Sequence, residues 1–393
     1  SMWVWIPRFA YRVDNDKKVI DVVFLQGTTD NYFDENGELQ TAKRQKSVDE
    51  TIDTTTGYTV HPAFTDESSI KFANGGWDKE LTGIWVAKFA AGYASGNNTA
   101  TVKASSVSYS PSKVWTYRTE RGTEDDNSED ARNWLDGIYG PTKTSIKYPT
   151  FQGVTYAMNY INHNDAFNIA KVLNENGNIY GLSTSDSDSH LMKNSEWGAV
   201  SYLSQSKYGL DGTNIVINSV YLNNTTKSVY AVTGCASSTA DASAVSTTIG
   251  ALNNRTQSGV YVWTQKNGTA ASSTGTIYGI YDLSGGTYEY VASYYSGSTD
   301  LSSGSQLVNE TNREYVTAYD IDNVDTGYKQ GDATKETKRW NSSDADIFVD
   351  SEAPFFLRGD GYSDTYNAGV FAFNSNNGGG NNGYATFRVC LAI

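Results

Sequence analysis

Residues 355–393 read FFLRGDGYSDTYNAGVFAFNSNNGGGNNGYATFRVCLAI, and this stretch carries the strongest structural signal in the chain. Strand-like apolar segments at 355–359 and 387–393 enclose a tract that is rich in Asn, Gly, Ser, Asp and Tyr. A turn-forming tract held between strands is a common way for a rigid framework to display a loop to a partner. We therefore expect two strands with an ordered surface loop between them.

The tract from 359 to 386 has a restricted alphabet, namely Gly, Asp, Tyr, Ser, Thr, Asn, Ala, Val and Phe. Each of these residue types is encoded by a codon that an asparagine codon reaches when its adenines are changed. Tyr supplies contact area with few rotatable bonds, while Ser, Gly and Asn supply adaptable hydrogen bonds, as they do in antibody paratopes. The alphabet therefore indicates a binding surface that has been diversified.

A disordered low-complexity segment is the alternative interpretation of this tract. Val370, Phe371 and Phe373 interrupt the polar residues in the manner of buried framework positions. This pattern favours an ordered loop, and it predicts that Phe371 and Phe373 face inward. Tyr366 and Tyr384 are predicted to face outward.

Composition narrows the class of protein. The 393 residues include 28 Tyr, 14 Phe and 9 Trp but only 6 Pro, which favours β structure and aromatic packing. The net charge of −14, without a basic stripe, makes a nucleic-acid partner improbable. No run approaches the roughly 18 apolar residues of a membrane-spanning helix, so no span is expected, and no signal peptide is recognisable.

The order of the predicted elements indicates an α+β fold. Residues 2–11 and 83–89 read as strands. Apolar spacing predicts one helix over 155–174, ended by a turn at 176–178. A second helix should begin near Asn194 or Ser195, either of which can serve as its N-cap, and stop by Gly209. Helices that are segregated from strands are typical of α+β folds and not of parallel α/β folds.

We interpret the whole chain, 1–393, as a single domain enlarged by polar insertions. These insertions cover about 13–80, 95–150, 210–276 and 296–348. Segment 355–393 is the variable C-terminal part of the same domain.

Four short motifs occur in a recognisable order. Residues 190–200 read HLMKNSEWGAV, 279–291 read GIYDLSGGTYEYV, 358–361 read RGDG and 387–389 read FRV. The chain thereby resembles formylglycine-generating-enzyme-like proteins, the sulfatase-modifying-factor type. The resemblance implies a C-type lectin-like fold with two helices and antiparallel strands.

Within that fold the chain is similar to variable proteins of diversity-generating retroelements. In such proteins, reverse transcription miscopies template adenines and the copy replaces the end of the gene. The resemblance implies a receptor-recognition protein displayed outside the cell, at a phage tail tip or a bacterial surface, whose partner is itself a variable protein or surface receptor. Its oligomeric state stays open. The implied ligand-binding positions are Asp360, Gly361, Tyr362, Ser363, Asp364, Tyr366, Ser375, Gly380, Tyr384 and Ala385.

The same resemblance assigns framework roles to several conspicuous residues. Arg358-Gly359-Asp360 spells the integrin-binding tripeptide, but Arg358 and Gly359 match the framework and Asp360 is one substituted position. Glu196 and Glu289, beside aromatic residues, could act as general acids. The matching family positions support the scaffold, and we expect the same of these two.

Two alternative functions were weighed, a formylglycine-generating oxidoreductase relative and a carbohydrate-binding lectin module. The oxidoreductase needs a cysteine pair near the C-terminal end of the fold, whereas Cys235 and Cys390 are far apart in sequence. We expect two small buried thiols, although a single bridge between them is the alternative. We therefore expect a binding protein and not an enzyme.

Metal ligands are sparse in the sequence. The acidic stretches at 186–188 and 320–325 have spacings compatible with Ca²⁺, but neither continues into an EF-hand and no lectin-type calcium motif is present. No cofactor is expected, and a structural Ca²⁺ stays compatible with the sequence. His61, His163 and His190 are dispersed, and we expect structural or surface roles for them.

Overall fold

The computed structural model describes most of the chain. The described residues are 2–46, 50, 52–66, 76–93, 149–159, 161–171, 173–174, 180–223, 229–239, 242–338, 340, 346–378 and 384–393. They form a mixed α+β structure with two substantial helices and many short, mostly antiparallel strands in several sheets. This confirms the α+β class.

The strands, in chain order, are β1 Trp3–Pro7, β2 Phe9–Asp14, β3 Val19–Phe24, β4 Asn31–Phe33, β5 Leu39–Thr41, β6 Thr59–Val60, β7 Gly83–Ala87, β8 Gly92–Tyr93, β9 Tyr156–Ala157, β10 Asp188–Leu191, β11 Val220–Asn223, β12 Val229–Ala231, β13 Cys235–Ser237, β14 Val245–Ser246, β15 Val260–Val262, β16 Tyr288–Tyr295, β17 Thr317–Tyr319, β18 Phe355–Gly359, β19 Gly369–Asn376, β20 Ala385–Phe387 and β21 Val389–Ala392. The α-helices are α1 His163–Lys171, α2 Asn194–Gln205, α3 Ile249–Asn253 and α4 Val324–Gly327. Short 3-10 turns occur at Pro62–Phe64, Gly268–Ala271, Ser302–Gly304, Glu310–Tyr315, Lys335–Thr337 and Thr365–Asn367.

One sheet joins the two ends of the chain. Its strand order is β1-β7-β21-β10, and every pair in it is antiparallel. Strand β21 therefore lies between β7 and β10, where both of its edges are hydrogen-bonded. The predicted strands at 2–11 and 83–89 are confirmed as β1, β2 and β7.

A second sheet contains the C-terminal segment. Its order is β17-β16-β18-β19, and β20 pairs with β16 in parallel. Strands β18 and β19 are antiparallel neighbours, with Phe355 opposite Asn376. The strand-like segments that flank the polar tract are thus confirmed, and they belong to two different sheets.

Helix α1 begins later than the periodicity predicted. Tyr156 and Ala157 pair with Gly92–Tyr93 as a strand instead of opening the helix. The side-chain oxygen of Asn162 accepts the backbone N–H of Asp165 at 2.8 Å, which is the bond of an N-cap residue. The helix therefore starts at His163, and the predicted turn at 176–178 lies outside the described residues.

Helix α2 agrees with the prediction except at its N-cap. Trp197 and Val200 are buried as expected, and Leu203 packs partly buried against the same cluster. The residue before the helix is Lys193, whose backbone N–H is accepted by the Glu196 carboxylate at 2.8 Å. The prediction of Asn194 or Ser195 as N-cap was wrong because both already lie within the helix.

The segment at 13–80 is more regular than its polarity suggested. Strand β3 pairs with β2 along its full length, and Ile20 and Val22 are buried in the largest hydrophobic cluster. Phe64 and Trp77 join the same cluster. This segment therefore supplies core, while most of the segment at 95–150 lies outside the described residues.

Two large clusters form the core. The first joins Tyr11 of β2 and Trp197 of α2 to Phe371 of β19. The second joins Phe167 of α1 to Phe387 of β20 and other residues of the second sheet. Within the described ranges, none of the helices has the length and apolar character required to cross a membrane.

Candidate binding surface

Strand β18, the first strand of the C-terminal segment, carries a buried arginine near its end. Arg358 is fully buried, and its guanidinium donates to Asn194 Oδ1 at 2.9 Å and to the carbonyls of Asp332 and Ala333 at 3.0 and 2.9 Å. Asp360 is only 5% exposed. The Arg-Gly-Asp tripeptide is therefore not displayed to solvent.

The loop leaves strand β18 through a sharp backbone turn. Gly359 has φ of +81°, a conformation that glycine adopts without steric cost. Its carbonyl accepts the Gly285 N–H at 2.9 Å, and the Tyr362 N–H donates to the Gly286 carbonyl at 2.7 Å. The start of the loop is thereby hydrogen-bonded to residues 285–286.

A carboxylate closes the next turn. Asp364 Oδ2 accepts the Gly361 backbone N–H at 2.7 Å, immediately before the 3-10 turn Thr365–Asn367. The chain then enters β19 at Gly369. This part of the tract is ordered by local hydrogen bonds, against the alternative of a disordered segment.

The apolar residues of the tract face the core, as predicted. Phe371 and Phe373 are 2% and 1% exposed, and both belong to the largest cluster. The indole N–H of Trp197 donates to the Val370 carbonyl at 2.8 Å, which fixes β19 on helix α2. Strand β19 is therefore held against the core by packing and by the Trp197 hydrogen bond.

The two tyrosines predicted to face outward do so. Tyr366 is 59% exposed and Tyr384 is 47% exposed. Ser363 is also exposed, while Asp364 and Ser375 are partly buried. These five of the predicted ligand-binding positions lie at the surface, and their contact with a partner stays a prediction.

Four other predicted positions lie beneath the surface. Asp360, Gly361, Tyr362 and Ala385 are buried. Tyr362 is 8% exposed and stacks on Tyr221 with ring centroids 4.6 Å apart. The prediction of Tyr362 as a protruding contact residue needs correction, because its ring packs inward against Tyr221. Gly380 lies outside the described residues.

The buried start of the loop is acidic. Burial raises the pKa of Asp360 to about 7, and the neighbouring carboxylates of Asp364 and Asp346 add to this rise. Burial and the carboxyl groups of Asp360 and Asp364 also raise the pKa of Tyr288, whose ring lies beside Gly361. Asp346 and Asp364, which are partly buried, are thus close enough to Asp360 to affect its pKa, while Asp360 itself is withdrawn from the surface.

Glu289 forms a buried ion pair beneath the same sheet. Its carboxylate accepts two hydrogen bonds from Arg388, at 2.5 and 3.0 Å. Arg388 also donates to the carbonyls of Ala87 and Tyr281. Burial raises the pKa of Glu289, and the guanidinium opposes that rise. These contacts support the expected scaffold role of Glu289.

The 296–348 segment supplies polar residues that the sequence did not single out. Glu336 is partly buried and accepts hydrogen bonds from the hydroxyls of Tyr11 and Tyr202, at 3.0 and 2.9 Å. Asp332 accepts the Tyr319 hydroxyl at 2.9 Å. Sequence analysis missed them because acidic residues in a polar segment read as solvated.

The histidines and cysteines are all interior. His61, His163 and His190 are fully buried, so none of them is a surface residue. Cys235 and Cys390 are buried free thiols, as predicted. No local pattern indicates that His190 lies beside Glu196 and Cys390, because strand pairing between β10 and β21 places His190 opposite Cys390.

The two acidic stretches considered for Ca²⁺ are largely exposed; the first ends at the start of strand β10 and the second enters helix α4. Asp186 and the carboxyl residues of 320–325 are exposed, and Asp188 is partly buried beside His190. Within the described part of the chain, neither stretch gathers three carboxyl, His or Cys donors around one point.

The fold and the surface define a mixed α+β protein with an ordered, tyrosine-bearing C-terminal loop. No protein-family model matches this chain, and a search of the curated proteins finds no match either.

Proposed function

We propose that the chain is a ligand-binding protein with a C-type lectin-like fold of the formylglycine-generating-enzyme type. Its segment 355–393 is the part diversified by adenine-directed retroelement mutagenesis. One observation carries the proposal: in a tract of restricted alphabet, Phe371 and Phe373 are buried while Tyr366 and Tyr384 are exposed. Such a division is expected of a paratope on a fixed framework.

The exposed residues have the chemistry of a contact surface. Tyr366 and Tyr384 offer rigid aromatic area, and Ser363 adds a small hydrogen-bonding group between ordered turns. A few such aromatic residues contribute most of the affinity of typical interfaces. Strand β19, which follows Tyr366 in the chain, is held by the hydrogen bond from Trp197 to Val370. The conformational entropy that this strand loses on binding is therefore small.

The partner in this proposal is a variable protein or a surface receptor. The setting is extracellular, at a phage tail tip or on a bacterial surface, where diversification keeps pace with a changing partner. The partly buried carboxyl groups of Asp346 and Asp364 near the loop favour a partner that presents Lys or Arg. The net charge of −14 disfavours nucleic acid.

Sequencing the genomic neighbourhood tests the genetic half of the proposal. We expect a reverse transcriptase gene and an adenine-rich near-copy of the segment that encodes 355–393. Differences between the copy and the gene should fall at template adenines. If sibling genes differ as often at other template bases, the diversification hypothesis is wrong.

Binding to intact bacterial cells tests the recognition half. Tyr366→Ala and Tyr384→Ala should each weaken retention on a strain that the wild-type protein binds. Tyr278→Ala is the matched control, because Tyr278 is 76% exposed and lies outside the C-terminal segment. Equal losses in all three variants would argue against a binding surface at the C-terminal tract.

A further inference from the structure

Three potential metal-ligating side chains of different chemistry converge where β10, β21 and α2 meet. His190 Nε2 lies 3.0 and 3.1 Å from the two carboxylate oxygens of Glu196. One ligand atom each from His190, Glu196 and Cys390 lies within 4.8 Å of the other two, and all three residues are fully buried. No other group of three such donors occurs among the described residues.

Regular secondary structure holds these three residues in place. His190 and Cys390 are directly opposite each other in the antiparallel β10–β21 pair, so their side chains leave the sheet on the same face. Glu196 lies in the first turn of α2, where its carboxylate also accepts the Lys193 backbone N–H. Ligands on strands and helices keep a fixed geometry better than ligands on loops.

A second carboxylate lies beside the other ring nitrogen. Asp188 Oδ1 lies 3.5 Å from His190 Nδ1, and neither atom has a hydrogen-bond partner within the described part of the chain. A metal-bound histidine commonly donates its other ring N–H to a carboxylate, which fixes the tautomer and the ring orientation. In the proposed site, a small approach of Asp188 makes this bond and leaves Nε2 directed toward Glu196.

We propose that His190 Nε2, a Glu196 carboxylate oxygen and the Cys390 thiolate bind a divalent transition-metal ion, with Zn²⁺ as the preferred ion. Zn²⁺ accepts nitrogen, oxygen and thiolate ligands at about 2.0–2.3 Å. Ligand atoms around a tetrahedral ion at those distances stand about 3.3–3.8 Å apart. The His190–Glu196 pair is already close to this spacing, and the Cys390 sulfur, within 4.8 Å of both, needs to move by no more than about 1.5 Å to reach it. A water molecule completes the tetrahedron.

A cleft leads from solvent to the rings that cover this site. Its volume is about 420 Å³, and its walls include Trp77, Asp188 and Tyr315. The Trp77 and Tyr315 rings contact His190, with centroid distances of 5.0 and 5.8 Å. Asp186 adds a carboxylate to the lining, which favours the approach of a cation. A rotation of either ring would open a path to His190.

Metal titration of tag-free wild-type protein tests the proposal. After treatment with a chelator, the protein should bind one Co²⁺ per chain and show a cobalt–thiolate absorption band that Zn²⁺ abolishes. X-ray absorption at the zinc edge should show one sulfur at about 2.3 Å. Zn²⁺ should also raise the thermal unfolding midpoint, because an ion that binds only the folded state stabilises that state.

Substitution of each thiol provides the matched comparison. Cys390→Ser should lose the thiolate band and weaken Zn²⁺ binding by about tenfold or more. Cys235→Ser removes the other buried free thiol and should keep both properties. A band that persists in folded Cys390→Ser overturns the proposal. Where that variant does not fold, wild-type protein decides alone: no bound ion, or no sulfur at the ion, overturns it equally.

Discussion

Replacing Arg388 by alanine probes the buried ion pair that joins the C-terminal segment to strand β16. Arg388 is fully buried, and it donates to both carboxylate oxygens of Glu289, at 2.5 and 3.0 Å. It also donates to the backbone carbonyls of Ala87 and Tyr281, at 2.7 and 2.8 Å. One side chain thus links β7 and β16 at the junction between β20 and β21.

The expected loss in the free energy of unfolding follows from the buried groups that are left without a partner. A buried carboxylate without its partner costs about 3–5 kcal/mol. Each carbonyl that loses its donor costs about 1–3 kcal/mol unless water replaces the guanidinium in the space created. We therefore expect Arg388→Ala to lower the free energy of unfolding by about 3–5 kcal/mol if water replaces the guanidinium at both carbonyls, and by about 5 kcal/mol or more if it does not. That is a large share of the roughly 5–15 kcal/mol by which proteins are stable.

Urea unfolding at pH 8, followed by fluorescence and circular dichroism, measures the loss. Arg12→Ala is the control, because the side chain of Arg12 is 44% exposed in its pair with Asp21, and such pairs contribute about 0–1 kcal/mol. Equally small losses in the two variants would refute the reasoning.

The pH dependence gives a second check on the same variant. Burial raises the pKa of Glu289, and removal of Arg388 takes away the charge that opposes this rise. A group with a raised folded-state pKa loses stability as the pH rises through that pKa. The deficit of Arg388→Ala should therefore be smaller at pH 5 than at pH 8. A deficit that is the same at both pH values would show that the ionised carboxylate is not its cause.

The remaining predictions concern the C-terminal segment itself. Phe371→Ala should cost about 3–5 kcal/mol and Tyr366→Ala less than about 0.5 kcal/mol in urea unfolding, because only Phe371 is buried; similar costs would contradict the assigned orientation. Burial raises the pKa of Asp360 from 3.8 to about 7, so stability falls as the pH rises through that window, and Asp360→Asn should unfold at a higher temperature than wild type at pH 8 but not at pH 4. The shift sets an upper limit of about 4 kcal/mol on this gain. Tyr362→Ala should lower the thermal midpoint by removing the stack on Tyr221, whereas Tyr362→Phe should restore most of it.

Local sequence patterns sufficed where the signal was local. The apolar run at 387–393 and the alternation around Phe371 and Phe373 gave the strands and the inward-facing side chains of the C-terminal segment. The spacing of Trp197 and Val200 gave helix α2 within one residue of its start. In each case a short stretch of sequence contains both the residues that are buried and the residues at which the strand or helix ends.

The misses arose where distant segments decide the outcome. Tyr156 continues the helical period of α1, but pairing of β9 with β8 takes it into a strand. The polar sequence around Glu336 suggested a solvated side chain, but the hydroxyls of Tyr11 and Tyr202 donate hydrogen bonds to its carboxylate. Local patterns carry no information about such partners, because hydrogen bonds between remote segments override propensity.

The same argument applies to the cluster at His190. His190 lies opposite Cys390 because of the register between β10 and β21, two strands that are about two hundred residues apart in the chain. A shift of the register by one residue would place the two side chains on opposite faces of the sheet. Residue spacing along the chain cannot supply that register.

The C-terminal segment separates the residues that hold the fold from those that are displayed. Arg358 and Arg388 are buried and hydrogen-bonded, so their loss would damage the framework whatever the loop contains. Tyr366 and Tyr384 are exposed, and at exposed positions most substitutions change stability by no more than about 0.5 kcal/mol. Such a segment is expected to tolerate amino-acid substitutions at its exposed positions. Rewriting at Ala385, which is 2% exposed within β20, would meet packed neighbours instead.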